Sequence, residues 1–285
     1  MNDSDKHFLD TSVARSFLLG SNNYRKYFKE QFGSDRLYVS AYVLMEFKRS
    51  YLCQIINFYF LLDMPSVHTI SDAIQAWSNR FKTSELKAVL QLVSQLFAMR
   101  TLDLNNIKHK EIALRAIGQY VKRLEIKTRR GFINIGKNEI QCARAKVTLK
   151  FQNQMDFTED FRAFLYDINE IEVCRENCSV NDFILIRHKA PVESFIKHSE
   201  VLCSPKSNEN NGFVNITEKL DSVLRGKAAF SCKLCEAIGD AVIALEAPRD
   251  MRLEHTDYSF DHLCPVVGQP HYRHPSERAV IKESK

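Results

Sequence analysis

The chain has 285 residues, of which 45% are hydrophobic and 26% are charged, and its formal net charge is +5. This composition is typical of a globular protein and excludes an intrinsically disordered one. The longest apolar stretch, 51–62, is too short for a membrane span of about 20 apolar residues, and no signal-peptide core follows the polar N-terminus. We therefore expect a cytoplasmic protein with no membrane partner.

Short strands alternate with helices in the first part of the chain. A buried strand that ends in a polar cluster is predicted around 7–9, and a second strand over 36–39. Helices are predicted over 13–19, 24–32 and 41–57. Ser40 has the position and chemistry of an N-cap for the last of these. The alternation predicts a parallel sheet covered by helices.

Helical periodicity dominates the middle of the chain, from 64 to about 215. Helices are predicted over 86–97, 108–124, 156–164 and 182–187, with a loop over 204–212. The last part returns to mixed character. Its predicted elements are a helix over 235–247, a strand over 252–255, a helix over 261–267 and a poorly ordered basic tail, 271–285.

Two acids occupy equivalent positions after predicted strands. Asp10 and Asp257 each follow a short strand and lie beside a threonine. Ligands of open parallel sheets bind beyond the carboxyl ends of the strands, so we expect the two carboxylates to face each other there. Because like charges at short distance repel, the pair favours a hard divalent cation, and oxygen ligands suit Mg²⁺ or Mn²⁺.

Two acids in apolar helical segments can complete this site. Glu46 and Asp240 both have apolar neighbours in their predicted helices. Carboxylates in such surroundings are seldom buried unless they are paired or bind a metal. Taken singly, each acid also fits a structural role: Asp10 as a helix N-cap, Glu46 on a solvated helix face and Asp257 in a turn.

Four blocks around these acids resemble the signature blocks of PIN domains, in the family's order. They are 8–12, Glu46 in the helix after 38–40, 239–244 and 255–260. The resemblance implies a three-layer α/β/α PIN-like fold with a parallel central sheet. It also implies catalytic acids that bind Mg²⁺ or Mn²⁺, namely Asp10, Glu46, Asp240 and Asp257. Neighbours that orient a carboxylate or a bound water would be Thr11, Ser12 and Thr256.

By the same resemblance, the chain is expected to be a metal-dependent endonuclease that hydrolyses phosphodiester bonds, most often in RNA. Family members include toxins held by an antitoxin, so a toxin or defence effector with such a partner is implied, and a homodimer as well. DNA as the substrate and a catalytically idle nucleic-acid-binding scaffold remain as alternatives. The presence of all four acids argues against the idle scaffold.

The resemblance covers both ends of the chain and leaves out its middle. It predicts a discontinuous PIN-like domain formed by 1–64 and 225–270, a mainly helical insertion over 65–224, and the basic tail over 271–285. An insertion of this size is a departure from compact PIN toxins. The insertion is therefore the segment expected to determine which nucleic acid is bound.

Positive charge is concentrated inside the predicted insertion, where residues 122–150 hold nine basic residues against two acids. Such clusters bind phosphate backbones, although similar runs also occur on solvated helix faces. The predicted nucleic-acid contacts are Lys127, Arg129, Arg130, Lys137, Arg144 and Lys146. Gly131 and Gly136 predict a hairpin or a loop tip between helices, from which Phe132 would stack on a base.

Two close cysteine pairs have the spacing of a four-cysteine structural zinc site. The pairs are Cys174 with Cys178 and Cys232 with Cys235. The alternative is that the second pair packs as small apolar side chains in a helix. The four histidines and cysteines between 262 and 274 have a spacing that matches no metal site.

Overall fold

A computed structural model describes most of the chain. The described ranges are 6–79, 89–90, 92–94, 103–135, 140, 143–152, 156–169, 179–202, 211–228 and 231–283, without the side chains of 143, 202, 232 and 283. The predicted helix over 86–97 lies mostly outside these ranges. Lys137, Cys174 and Cys178 lie outside them as well.

Five strands form one sheet, in which every pair of neighbours is parallel and the order is β3-β2-β1-β4-β5. They are β1 (Lys6–Leu9), β2 (Arg36–Val39), β3 (Ile133–Asn134), β4 (Arg252–His255) and β5 (His271–Arg273). The predicted α/β class with a parallel sheet is confirmed. The strands predicted over 36–39 and 252–255 have those bounds.

Two helices follow the central strands after a single capping residue. Asp10 accepts a hydrogen bond from the Val13 amide, 2.8 Å away, and the helix Thr11–Leu19 begins directly after it. Ser40 accepts one from the Val43 amide at 3.1 Å, which confirms the predicted N-cap of the next helix. The short strand-to-helix junctions hold these residues at the carboxyl edge of the sheet.

Helices make up most of the remaining described chain. They are Thr11–Leu19, Asn22–Phe32, Ala41–Phe47, Cys53–Asp63, Ile70–Ser78, Ile107–Gly131, Ala143–Lys146, Thr158–Asn169, Val180–Asp182, Lys189–Leu202, Asn211–Leu224, Cys232–Ala237, Gly239–Glu246, Ser259–Val267 and Glu277–Glu283. Two π-helical turns accompany them, Lys48–Leu52 and Phe183–Arg187. Within the described ranges no helix combines the length and apolar character needed to cross a bilayer.

Two compact units divide the chain. The sheet unit comprises Met1–Glu46, Gly131–Lys146 and Ile171–Lys285, and the helical unit comprises Phe47–Arg130 and Val147–Glu170. These boundaries differ from the predicted partition into 1–64 with 225–270 and an insertion over 65–224. The helical unit is consequently smaller than the predicted insertion.

Tertiary contacts explain why parts of the predicted insertion belong to the sheet unit. Strand β3 pairs with β2, and the Ile135 amide donates to the Val39 carbonyl at 3.0 Å. The predicted stacking of Phe132 on a base is wrong, because this side chain is buried with its ring centroid 6.0 Å from that of Phe17. The helices Lys189–Leu202 and Asn211–Leu224 pack on Ser259–Val267.

The predicted poorly ordered tail, 271–285, is folded over its described part. It supplies the edge strand β5 and the helix Glu277–Glu283. The Ser21 amide donates to Glu277 Oε1 at 2.8 Å, and Tyr24 Oη donates to the Pro275 carbonyl at 2.8 Å. A three-residue strand has too few positions for a periodic signal, so only its pairing with β4 identifies it.

The helical unit has an aromatic core of its own. The ring centroids of Tyr59 and Phe161 are 5.0 Å apart, and Trp77 is fully buried beside Phe58. Gly118 has a steric role, since a Cβ at that position would lie 2.0 Å from the Phe157 ring. These contacts hold a compact helical body without strands among its described residues.

Candidate functional site

The predicted acids of the two chain ends meet at the carboxyl edge of the sheet. Asp10 follows β1, and its amide donates to the Glu254 carbonyl of β4 at 3.0 Å, which extends the β1–β4 ladder by one residue. Asp257 lies two residues beyond the end of β4. Parallel pairing of β1 with β4 therefore brings the two carboxylates together, and their charges interact.

The Asp10 carboxylate is buried and fixed by short hydrogen bonds. Ser12 Oγ donates to it, with 2.7 Å to Oδ2, and the Val13 amide donates to Oδ1. Thr256 Oγ1 in turn donates to Ser12 Oγ at 2.7 Å. A hydroxyl chain from Thr256 through Ser12 thus orients Asp10, so this acid is both a helix cap and a member of the cluster.

Glu46 reaches the same edge from the helix Ala41–Phe47. Thr11 Oγ1 donates to Glu46 Oε2 at 2.5 Å. The carboxylate also lies against Gly239, where an added Cβ would come within 2.3 Å of Glu46 Oε1. Glycine at this position leaves space for Glu46 beside Asp240, the next residue of the chain.

Asp240 lies in the first turn of the helix Gly239–Glu246 and accepts a short hydrogen bond from Ser259 Oγ. Three neighbours of the acids were missed by the sequence analysis, namely Ser259, Gly239 and Arg15. Ser259 lies two residues after Asp257 and Gly239 directly before Asp240, so each falls within a quoted sequence block. Nothing in the spacing of Arg15, one turn into its helix, marked it.

Crowding of carboxylates dominates the electrostatics of this edge. Burial raises the pKa of Asp10 well above its ordinary value, and the negative charge of Asp257 raises it further. Burial and then Asp257 raise the pKa of Asp240 from 3.8 to about 6. Desolvation also raises the pKa of Asp257, while the positive charge of Arg15 lowers it. The folded protein therefore disfavours the ionised cluster unless a cation compensates it.

The donor set suits a hard divalent ion that keeps part of its water. All the donors are carboxylate oxygens, which Mg²⁺ and Mn²⁺ prefer. Among the described residues, no three of these acids bring one oxygen each within 4.8 Å of one another. Direct bonds to one or two acids, and water-bridged bonds to the others, fit that spacing.

Solvent access differs among the four acids. Asp10 is buried, Glu46 and Asp240 are partly buried, and Asp257 is exposed. The cluster is thus closed on the protein side and open at Asp257.

The predicted basic contacts have mixed surroundings. Lys127, Arg129 and Arg130 are exposed in the helical unit, and Lys146 is exposed in the sheet unit. Arg144 differs from the prediction of a phosphate contact on the surface, because only 3% of it is exposed. Lys137 lies outside the described residues.

The predicted zinc site stays a prediction. Cys174, Cys178 and the side chain of Cys232 lie outside the described residues. Cys235 is buried, with its Sγ 3.6 Å from Tyr42 Oη, and Tyr42 Oη donates to the Cys235 carbonyl at 2.6 Å.

A second cluster, also missed from sequence, surrounds Glu254 on the central strand β4. Glu254 is fully buried, with Oε1 at 2.6 Å from both His7 Nδ1 and Arg252 Nε, and Oε2 at 2.9 Å from His274 Nε2. Burial alone would raise the pKa of Glu254, but the hydrogen bonds from His274, His7 and Arg252 outweigh it and lower the pKa to about 2. This carboxylate is already paired and therefore structural.

Comparison of the chain with protein-family models, with characterised proteins and with solved structures gives no significant match.

Proposed function

We propose that the chain is a PIN-like nuclease that depends on Mg²⁺ or Mn²⁺ and hydrolyses phosphodiester bonds, with RNA as the first substrate to test. The observation that carries the proposal is the convergence of Asp10, Glu46, Asp240 and Asp257 at one sheet edge. Three of them crowd one another electrostatically, which a purely structural cluster would avoid. RNA is favoured by the family resemblance alone.

The acids would bind the cation, and their neighbours would hold them in position. Asp10 is oriented through Ser12 and Thr256, and Asp240 through Ser259. When bound, the divalent ion supplies positive charge to the phosphate and lowers the pKa of an attacking water. The hydroxyls of Ser12 and Ser259 both donate to carboxylates and so orient the acids.

Exposed basic residues would hold the nucleic-acid backbone. Lys127, Arg129 and Arg130 lie on the last turns of the helix Ile107–Gly131 and face solvent. Arg129 has one acidic neighbour, Glu125, at 3.9 Å. Phosphate contacts by such side chains make binding weaken steeply with salt.

The decisive experiment measures cleavage of labelled single-stranded RNA, tRNA and single-stranded DNA with Mn²⁺, with Mg²⁺ and with a chelator. We expect Asp10→Asn and Asp240→Asn to lower the cleavage rate by about a hundredfold or more, because each removes a cation ligand. Asp250→Asn is the matched control, since that acid is exposed and pairs with Lys6 at the amino end of β1. Its rate should equal that of the wild type.

Full activity in the first two variants, or cleavage that persists in chelator, would overturn the proposal. Cleavage of DNA but not of RNA would support metal-dependent phosphodiester hydrolysis, with DNA in place of RNA as the substrate. Binding of nucleic acid without cleavage of any substrate would favour the idle scaffold. Growth arrest on expression that disappears with Asp10→Asn would support the toxin or defence role. The purified protein also shows whether a partner co-purifies with it and, by its mass in solution, whether it is a homodimer.

A further inference from the structure

Two histidines and an aspartate form a compact group beside the acid cluster. His255 ends β4, His271 begins β5, and Asp261 lies in the helix Ser259–Val267. His255 Nε2 and His271 Nδ1 are 3.0 Å apart, and each is 3.9 Å from Asp261 Oδ1. Among the residues that the structure describes, no other trio of His, Cys, Asp or Glu brings three ligand atoms within 4.8 Å of one another.

The hydrogen bonds determine which nitrogen of His255 carries the proton. Its Nδ1 lies 3.0 Å from the carbonyl oxygen of Asp257, and a carbonyl can only accept, so Nδ1 is the protonated nitrogen. The lone pair of a neutral His255 is consequently on Nε2, directed at His271 and Asp261.

We propose that His255, His271 and Asp261 bind one transition-metal ion of the Zn²⁺ class, at a site separate from the carboxylate cluster. Imidazole nitrogens with a single carboxylate suit Zn²⁺, whereas the four acids offer only oxygen. A ligating histidine usually donates its other N–H to a carbonyl or carboxylate, as His255 does to Asp257. Metal binding at this site does not depend on nuclease activity.

The distances need little adjustment. Zn–N bonds of about 2.0 to 2.1 Å in a tetrahedral site place two ligand nitrogens about 3.3 Å apart, close to the 3.0 Å between His255 and His271. Asp261 would move inward by about half an ångström on the same geometry. Its other oxygen, Oδ2, accepts from Arg273, whose guanidinium lies 4.0 Å from the centroid of the Tyr258 ring. That pairing holds the carboxylate with Oδ1 toward the histidines.

Partial exposure of Asp261 and His271 allows an ion to enter. The side chain of His255 is fully buried, while those of Asp261 and His271 are 30% and 25% exposed. Three protein ligands leave a fourth position for water. The bound ion would join β4, β5 and the helix Ser259–Val267, and through His255 it would fix the backbone of Asp257.

Co²⁺ titration of the metal-free full-length chain tests the site, because tetrahedral Co²⁺ gives intense visible absorption bands. We expect one equivalent to bind with these intense bands in the wild type and in Asp10→Asn, with competition by Zn²⁺. His271→Ala should abolish the bands and weaken Zn²⁺ affinity, measured by calorimetry, by about a hundredfold. His68→Ala is the matched control, because His68 is an exposed histidine of the helical unit.

Two further variants separate this site from its competitors. The bands should persist in Cys174→Ser/Cys178→Ser, which removes half of the predicted cysteine site, and should weaken in Asp261→Asn. Circular dichroism must show that His271→Ala is folded, and the partly exposed His271 is chosen over the buried His255 for that reason. Bands that survive His271→Ala in a folded protein, or that disappear with Asp10→Asn or with the cysteine variant, would overturn the proposal.

Discussion

The acids at the carboxyl edge and the cluster around Glu254 belong to the same sheet, and the pKa values of their carboxyl groups shift in opposite directions. At the carboxyl edge, Asp10 and Asp240 have raised pKa values because they are buried beside another acid. On β4, Glu254 is equally enclosed, yet three donors lower its pKa to about 2. Desolvation raises the pKa in both places, so the charges and hydrogen-bond donors beside each carboxylate decide whether its pKa is raised or lowered.

The difference separates a structural group from a candidate site. Glu254 has its compensating charge within the chain, so its ionisation favours the folded state. At the carboxyl edge, Arg15 lowers the pKa of Asp257, but burial and the charge of Asp257 raise the pKa values of Asp10 and Asp240, so ionisation of these two acids disfavours folding until a cation arrives. Three variants test this contrast.

Glu254→Gln should destabilise the protein by about 3 to 5 kcal/mol at pH 7, because it leaves the donors around a buried acid without their charged partner. The free energy of unfolding is measured by denaturant titration in the presence of chelator. Glu30→Gln, which breaks only an exposed 3.7 Å pair with Lys26, should change it by less than about 0.5 kcal/mol. Equal effects of the two substitutions would contradict the paired role of Glu254.

Asp240→Asn should stabilise the metal-free protein by about 1 to 2 kcal/mol at pH 7, less than the pKa shift alone implies because the residue is partly exposed. A raised folded pKa means that the folded state binds the proton more tightly. Wild-type stability should therefore fall as pH rises from 3.8 to about 6, and this fall should weaken in the variant.

Glu254 gives the opposite pH dependence. Its pKa falls from 4.5 to about 2 on folding. Its stabilising contribution to the free energy of unfolding is therefore present above pH 4.5 and is lost as pH drops toward 2. Unfolding titrations across pH 2 to pH 7 separate the two carboxylates. Destabilisation by Asp240→Asn in chelator would show that the edge acids are compensated by the chain itself, and Asp250→Asn serves as the neutral control.

Gly239→Ala should lower cleavage about tenfold while changing stability by less than about 1 kcal/mol. The new Cβ would lie 2.3 Å from Glu46 Oε1, the mobile end of a side chain, so the carboxylate moves and the backbone does not. Gly212→Ala is the matched control, because a Cβ there meets nothing within 4 Å. Unchanged cleavage in Gly239→Ala would remove Glu46 from the proposed site.

Local sequence patterns predicted the elements and the positions of the acids. The bounds of β2 and β4 and the Ser40 cap follow from interactions over three or four residues, which a single sequence displays. The sequence predicted Asp10 both as a helix cap and as a member of the acid cluster. Its carboxylate does both, since it caps the helix through the Val13 amide and interacts with Asp257 and Asp240. The acids were found because each follows or lies within a recognisable strand or helix.

Long-range pairing decided the rest. His7 and Glu254 are 247 positions apart and meet only because β1 and β4 are neighbours in the sheet. The same kind of pairing brings β3 into the sheet unit and folds the segment after 270, where charge alone predicted a tail. A two- or three-residue strand carries no periodic signal of its own.

The positions of the acids at strand ends and in helices could thus be predicted from the sequence, because strand ends and helix caps depend on neighbouring residues. The tertiary structure decided which groups surround each acid, and therefore the sign of its pKa shift. It also brought His255 to His271 across β4 and β5, a proximity that no spacing along the chain indicates. The physical reason is that electrostatic environment depends on distance in space, which parallel strand pairing sets between remote segments.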